Sequence, residues 1–145
     1  MNELSKELNN FLANLCVFYR KLQNYHWNII GKDFFVLHAK LEEYYDDVND
    51  QIDEIAEHIL ILGKQPLGTM KDYLEIATIQ EAKNEKVEDK EVFTKIIADY
   101  ESLLQTATSI KELAEEKKSA ATSSLMDDYI LDYSKKLWML KQSME

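Results

Sequence analysis

Apolar side chains recur at steps of three and four residues over the first thirty positions, through Leu4, Leu8, Phe11, Leu12, Leu15, Phe18, Leu22, Tyr25 and Ile29. That period marks one face of an α-helix, and a first long helix is predicted from about Leu4 to Ile30. Gly31 ends it, because glycine adopts the left-handed backbone favoured just past a helix C-terminus, and Asp33 can cap the helix that follows. The period resumes through Leu37, Leu41, Tyr44, Tyr45, Val48, Ile52, Ile55, Ile59 and Leu62. This predicts a second helix from about Phe34 to Leu62, roughly 43 Å long. "GKQPLGTMKD" holds two of the three glycines and the only proline, so it is the main interruption of the chain. A short helix is predicted from about Met70 to Ile76, before the polar stretch "EAKNEKVED". A third long helix, about Lys90 to Glu116, carries Val92, Ile96, Ile97, Tyr100, Leu103, Leu104, Ile110 and Leu113. The polar turn "KKSAATSS" leads to a last helix, about Ala121 to Lys141, through Leu125, Tyr129, Leu131, Leu137 and Leu140.

Four long helices with one long connection between the second and third predict an all-α fold. It is a four-helix bundle of ferritin type, with a short extra helix in that connection. Composition agrees: 145 residues suit a single domain spanning 1–145, and 3 Gly and 1 Pro leave few places to break a helix. The longest apolar run, "ILIL" at 59–62, falls far short of the roughly 20 residues that cross a bilayer. The lone Cys16 cannot form an intramolecular disulfide and is expected to be a small core residue. No early basic segment precedes an apolar stretch, so a cytoplasmic location is expected.

The net charge of −10 and pI near 4.8 set up a field that attracts cations and repels phosphate backbones. The lysines are scattered, with only Lys6 among the first nineteen residues, so DNA is a weak candidate partner. An architectural protein that coats the chromosome is therefore the competing reading rather than the favoured one.

Candidate chemistry begins in "NYHWNIIGKDFFVLH", where His26 and His38 flank Gly31. His38 and Glu42 are spaced i, i+4, as are Asp53 and Glu57, so each pair projects from one helical face. All four are residue types that ligate iron, manganese or zinc. Alone, such a pair is ordinary solvated surface in a chain with 27 acidic residues. His38 and Asp53 lie about 22 Å apart along the helix axis, whereas a ligand sits ~2 Å from its metal. The two pairs cannot share a site within one chain. They can share one if the second helix packs antiparallel on its copy about a two-fold axis near Asp47 and Val48. Then His38 lies opposite the partner's Glu57 and Glu42 opposite the partner's Asp53, and symmetry makes two identical sites per dimer. His26, at similar depth across the first helical hairpin, completes the set. A centre inside one bundle would use Glu-x-x-His motifs on two helices, and that motif does not occur in the sequence.

"NYHWNIIGKDFFVLHAKLEEYYDDVNDQIDEIAEHILILGKQPLGT" closely resembles the Dps family, the mini-ferritins. The resemblance rests on the HW-x(10)-H spacing, the Asp-Glu-x-Ala-Glu segment and the Gly-x-x-Pro turn. It is strongest from about Asn24 to Asp72, and "KKLWMLK" is similar to the family's last helix. It implies a ferroxidase: a hollow homo-dodecamer that oxidises Fe(II), preferably with hydrogen peroxide, stores ferric mineral and protects against oxidative stress. Its inter-subunit catalytic ligands fall on His26, His38, Asp53 and Glu57. Glu42 stands where the family commonly has aspartate, one methylene shorter. Trp27 matches a residue that in the family lies close to the iron and absorbs stray oxidising equivalents; a plain core aromatic is the equal alternative. His58 replaces the family's usual arginine, so an ion pair is expected to be absent or pH-dependent there. In "AATSSLMDDY" serines stand where an acid is expected near the pores that admit iron, with Asp127 and Asp128 instead. The lysine-rich tail by which some members bind DNA is absent.

Overall fold

The computed structural model describes residues 2–144. Its helices are α1 (Asn2–Asn28), α2 (Phe34–Ile61), α3 (Met70–Ile76), α4 (Asp89–Glu116) and α5 (Ala120–Ser143), with two short strands, β1 (Ile29–Ile30) and β2 (Val87–Glu88). The helical bundle predicted from periodicity is thus the observed one. The apolar stripe of α1 is its core face: Leu4, Leu8, Phe11, Leu12, Leu15, Phe18 and Leu22 are completely buried.

Side-chain pairs give the directions of the four long helices. Tyr19 lies against Tyr45 and His26 against His38, so α2 runs antiparallel to α1. The pairs Lys21–Asp99, Phe18–Tyr100 and Glu3–Lys117 run α4 antiparallel to α1 as well. Gln51 bonded to Tyr133, and His58 to Thr122, run α5 antiparallel to α2. Helices α2 and α4 therefore point the same way, and the connection between them must travel back along the bundle.

That crossover is pinned to α1 by asparagines. Asn9 accepts from the Leu67 amide at 2.9 Å and donates to the Gln65 carbonyl at 3.2 Å. Asn14 Oδ1 accepts from the Thr78 and Ile79 amides at 2.8 and 2.9 Å. Within the crossover Thr69 caps α3 by accepting from the Asp72 amide. No α3 residue is fully buried; Tyr73 packs against the core from the side and Ile79 beyond the helix is buried in it, so these contacts join the asparagine anchors in setting the path.

Three local expectations are corrected. Helix α1 stops at Asn28, short of Ile30, because Ile29 and Ile30 pair in parallel with Val87 and Glu88. Asp33 occupies the N-cap position but makes no side-chain cap bond, since its backbone is not extended (φ −94°, ψ 16°). Its amide instead donates to Asp89 Oδ2 at 3.1 Å. Leu131 is exposed, because the buried stripe of α5 runs through Thr122, Met126, Tyr129, Tyr133, Leu137 and Leu140 on the opposite face. Among the described residues no helix is long and apolar enough to cross a membrane.

Candidate metal centre

The tight turn between α1 and α2 brings the two imidazoles together. The rings of His26 and His38 stack with centroids 3.7 Å apart and planes 11° from parallel. Each Nδ1 lies 2.7 Å from the other residue's backbone carbonyl. A carbonyl only accepts, so both Nδ1 atoms carry a hydrogen, and in the neutral ring the Nε2 lone pair is left free. A ligating histidine commonly has this arrangement, its second nitrogen donating to a carbonyl that fixes tautomer and ring orientation. Phe34 stacks on His38 at 4.9 Å and Tyr45 meets His26 edge-on at 5.5 Å. The rings are therefore clamped by packing as well as by hydrogen bonds.

Glu42, one turn along α2 from His38, places Oε1 3.8 Å from His26 Nε2 and stays exposed. His26, His38 and Glu42 thus share one corner of the bundle. Asp53 and Glu57 do not join them. They are exposed further along α2 and line a 720 Å³ groove between α2 and α5 with Asp50, Glu54, His58 and Asp128. Among the described residues of the single chain, no group of three or more His, Cys, Asp or Glu is close enough to hold a metal. What one chain offers is a preoriented imidazole pair with one carboxylate, and a separate carboxylate pair.

The neighbouring positions differ in what they do. His58 is buried and bonds Thr122 Oγ1 through Nε2 at 2.8 Å. Burial pushes its pKa below the ordinary value, opposed by the nearby Glu54 carboxylate. Within the described residues it forms a hydrogen bond to α5 and no ion pair. Glu54 accepts from the Tyr129 hydroxyl. Trp27 is 56% exposed, with the Arg20 guanidinium 5.9 Å from its ring centre, so it is not a core aromatic of the protomer. Asp127 is paired with Lys111 at 2.8 Å, while Asp128 faces the acidic groove. Cys16 is half-buried, and burial pushes its thiol pKa up to about 11 against the opposing Tyr73 hydroxyl. Sequence reasoning missed Phe34 and Tyr45 as ring clamps; Phe34 lies one turn before His38 in the sequence, whereas Tyr45 meets His26 from nineteen positions away and carries no local signal.

Residues 5–145 match a family model described as a ferritin-like domain. DNA protection during starvation protein 2 of Bacillus anthracis is 40% identical over 134 residues, spanning 92% of this chain and 91% of that protein. The crystal structure of a Dps protein from Vibrio cholerae O1, described as a member of a broad superfamily of ferritin-like diiron-carboxylate proteins, is also similar. It aligns at 41% identity with a TM-score of 0.95, covering 99% of this chain and 90% of its own. Antigen TpF1 from Treponema pallidum aligns at 33% identity and a TM-score of 0.97, covering 99% and 92%.

Proposed function

The chain belongs to the Dps family of ferritin-like proteins, and from that premise we propose that it is an iron-storing ferroxidase. It oxidises Fe(II) with hydrogen peroxide at centres shared by two subunits and keeps the ferric product inside a hollow cytoplasmic dodecamer. The observation that carries this reading is the reciprocal lock of His26 and His38, which leaves both Nε2 lone pairs free, that of His26 3.8 Å from Glu42 Oε1. The partner's Asp53 and the partner's Glu57 complete the set when α2 packs antiparallel on its copy.

Each donor has a distinct part. The imidazoles hold the borderline ferrous ion, and the hard carboxylate oxygens favour the ferric product. Glu42 facing the partner's Asp53 sets two carboxylates close together, an arrangement that repels unless a cation lies between them. In the proposed reaction one peroxide takes one electron from each of two Fe(II) ions and, with two protons, becomes two waters. No hydroxyl radical is released. The net charge of −10 per chain draws cations toward the assembly. Removal of peroxide and free iron protects DNA without touching it, so chromosome coating is not required by the reading.

The test is anaerobic loading with Fe(II), addition of peroxide and sizing of the product. Twelve copies of a 17.0 kDa chain give a particle of roughly 200 kDa. Asp53→Asn/Glu57→Gln alters two exposed side chains, so it should fold and assemble yet oxidise iron at least about tenfold more slowly. Wild-type rates in that variant would remove these residues from the site. A stable wild-type monomer would remove the shared centre altogether.

A further inference from the structure

Helix α2 exposes Phe35 at 85% and Leu60 at 56%, although both are large and apolar. Counting 100° per residue, Phe35, Glu42 and Asn49 share one stripe with Asp46, Asp53 and Leu60, each series stepping by seven residues. The six lie within about 60° of one another, and the other exposed apolar residues, Val36 and Ile61, sit about 100° away. The stripe is self-complementary about the midpoint between Asp47 and Val48: Phe35 mirrors Leu60, Glu42 mirrors Asp53, and Asp46 mirrors Asn49. An isologous contact demands a stripe of this kind.

We propose that Phe35 packs against Leu60 of the partner subunit, forming an apolar plug at the outer end of each shared iron centre. The inference rests on the two-fold pairing of α2 adopted above. Outward from the axis the levels are then Asp46 with Asn49, Glu42 with Asp53, His38 with Glu57, and finally Phe35 with Leu60, roughly 19 Å from the axis. Phe35 is already tied to the ligands within its own chain. It meets Phe34 edge-on at 5.6 Å, Phe34 stacks on His38 at 4.9 Å, and His38 stacks on His26 at 3.7 Å. Leu60 continues α2 one turn beyond Glu57. A column of rings from one subunit and a leucine from the other therefore close the side of the centre remote from the axis.

The plug has two consequences. It keeps bulk water from the ligands, which strengthens every charge interaction among them. It also fixes the register, because a slip of one turn takes Phe35 off Leu60 and onto Glu57 in one direction or Gly63 and Lys64 in the other. Phe35 and Leu60 are positioning residues: Phe35 reaches His38 through Phe34 and the partner through Leu60, and neither touches the metal.

The register is read by cross-linking in a Cys16→Ser background. Positions 35 and 60 of one helix are about 37 Å apart, and a disulfide needs Cα atoms within roughly 7 Å, so any bond joins two copies. Mild oxidation of Phe35→Cys/Leu60→Cys should give disulfide-linked dimers, and neither single variant should cross-link. Cross-linking of a single variant, a ladder beyond the dimer, or no product at all would overturn the proposal. As a second reading, Phe35→Asp should weaken assembly and Phe35→Asp/Leu60→Lys should restore it, whereas Phe35→Asp/Ile61→Lys should not. Failure of this inference is separable from failure of the ferroxidase reading. Absent cross-links with slow oxidation in Asp53→Asn/Glu57→Gln would sink the plug alone. Correct cross-links with wild-type oxidation in that variant would sink the iron site and leave the contact.

Discussion

Gly31→Ala strikes the point where the α1–α2 turn approaches the start of α4 too closely for any side chain. Gly31 has φ +127°, and a Cβ there would lie 2.5 Å from Asp89 Oδ2 and 2.7 Å from Asp89 Cγ. An L-residue held at such a φ costs about 1–3 kcal/mol. Asp89 cannot retreat freely, since it is buried and accepts from the Asp33 amide at 3.1 Å and the Lys90 amide at 2.8 Å. Hydrogen bonds to a charged group contribute about 1.5–3 kcal/mol each. Displacing the carboxylate from one of them, with the backbone strain, gives a local loss of about 3–5 kcal/mol in Gly31→Ala. Asp89→Ala loses both bonds without the strain, at about 3–6 kcal/mol. In the double variant the clash has no target, so its loss should fall short of the sum of the singles by about 2 kcal/mol. Native-state hydrogen exchange at the Asp33 amide measures this locally and does not depend on dissociating the assembly. A 3 kcal/mol loss predicts exchange faster by about 100-fold. Exchange changed less than about threefold in Gly31→Ala, or strict additivity of the two substitutions, would refute the reasoning.

Lys21 and Asp99 form an ion pair at 2.8 Å with side chains 6% and 13% exposed, and burial raises the Asp99 pKa despite the lysine. Lys21→Met or Asp99→Leu alone should destabilise by about 3–5 kcal/mol, while the double replacement should return to within about 1 kcal/mol of wild type. Denaturation midpoints at one protein concentration check this, and a double variant as unstable as the singles would count against it. For His58 the folded pKa is depressed below the ordinary 6.5 by burial, so the unfolded chain takes up protons first as pH falls. Its contribution is complete above about pH 6.5 and is lost progressively below that, as pH falls through the folded value. His58→Gln keeps a partner for Thr122 and should flatten the stability profile below pH 6.5; an unchanged slope would show that His58 is not its source.

The long helices were readable because each carries one apolar stripe whose phase the core uses directly. Errors arose where residue type outran phase or a distant residue intervened. Leu131 is apolar but lies opposite the buried stripe of α5, and the expected cap at Asp33 yields to Asp89, fifty-six positions away. The path of the crossover was not readable, since Asn9 and Asn14 look like ordinary surface on α1 until the Leu67, Thr78 and Ile79 amides arrive. At the candidate centre, the 1.5 Å rise of a helix was enough to separate His38 from Asp53. The reciprocal Nδ1 bonds were beyond reach, because spacing does not determine which way an imidazole turns.

Helix α2 carries two stripes with different readers. Leu37, Leu41, Val48, Ile55 and Ile59 answer to the core of their own bundle and are buried in it. Phe35 and Leu60 sit at the same phase as Glu42 and Asp53, and the folded chain leaves both exposed. In a lone protomer such residues are a solubility liability, and a carboxylate between them has no function that its neighbours on the surface lack. Across a two-fold axis the same order becomes apolar against apolar and acid against acid, with a cation required between the acids. The exposed apolar ends and the acidic middle are thus explained by one contact, and the cross-link between positions 35 and 60 decides whether that contact exists.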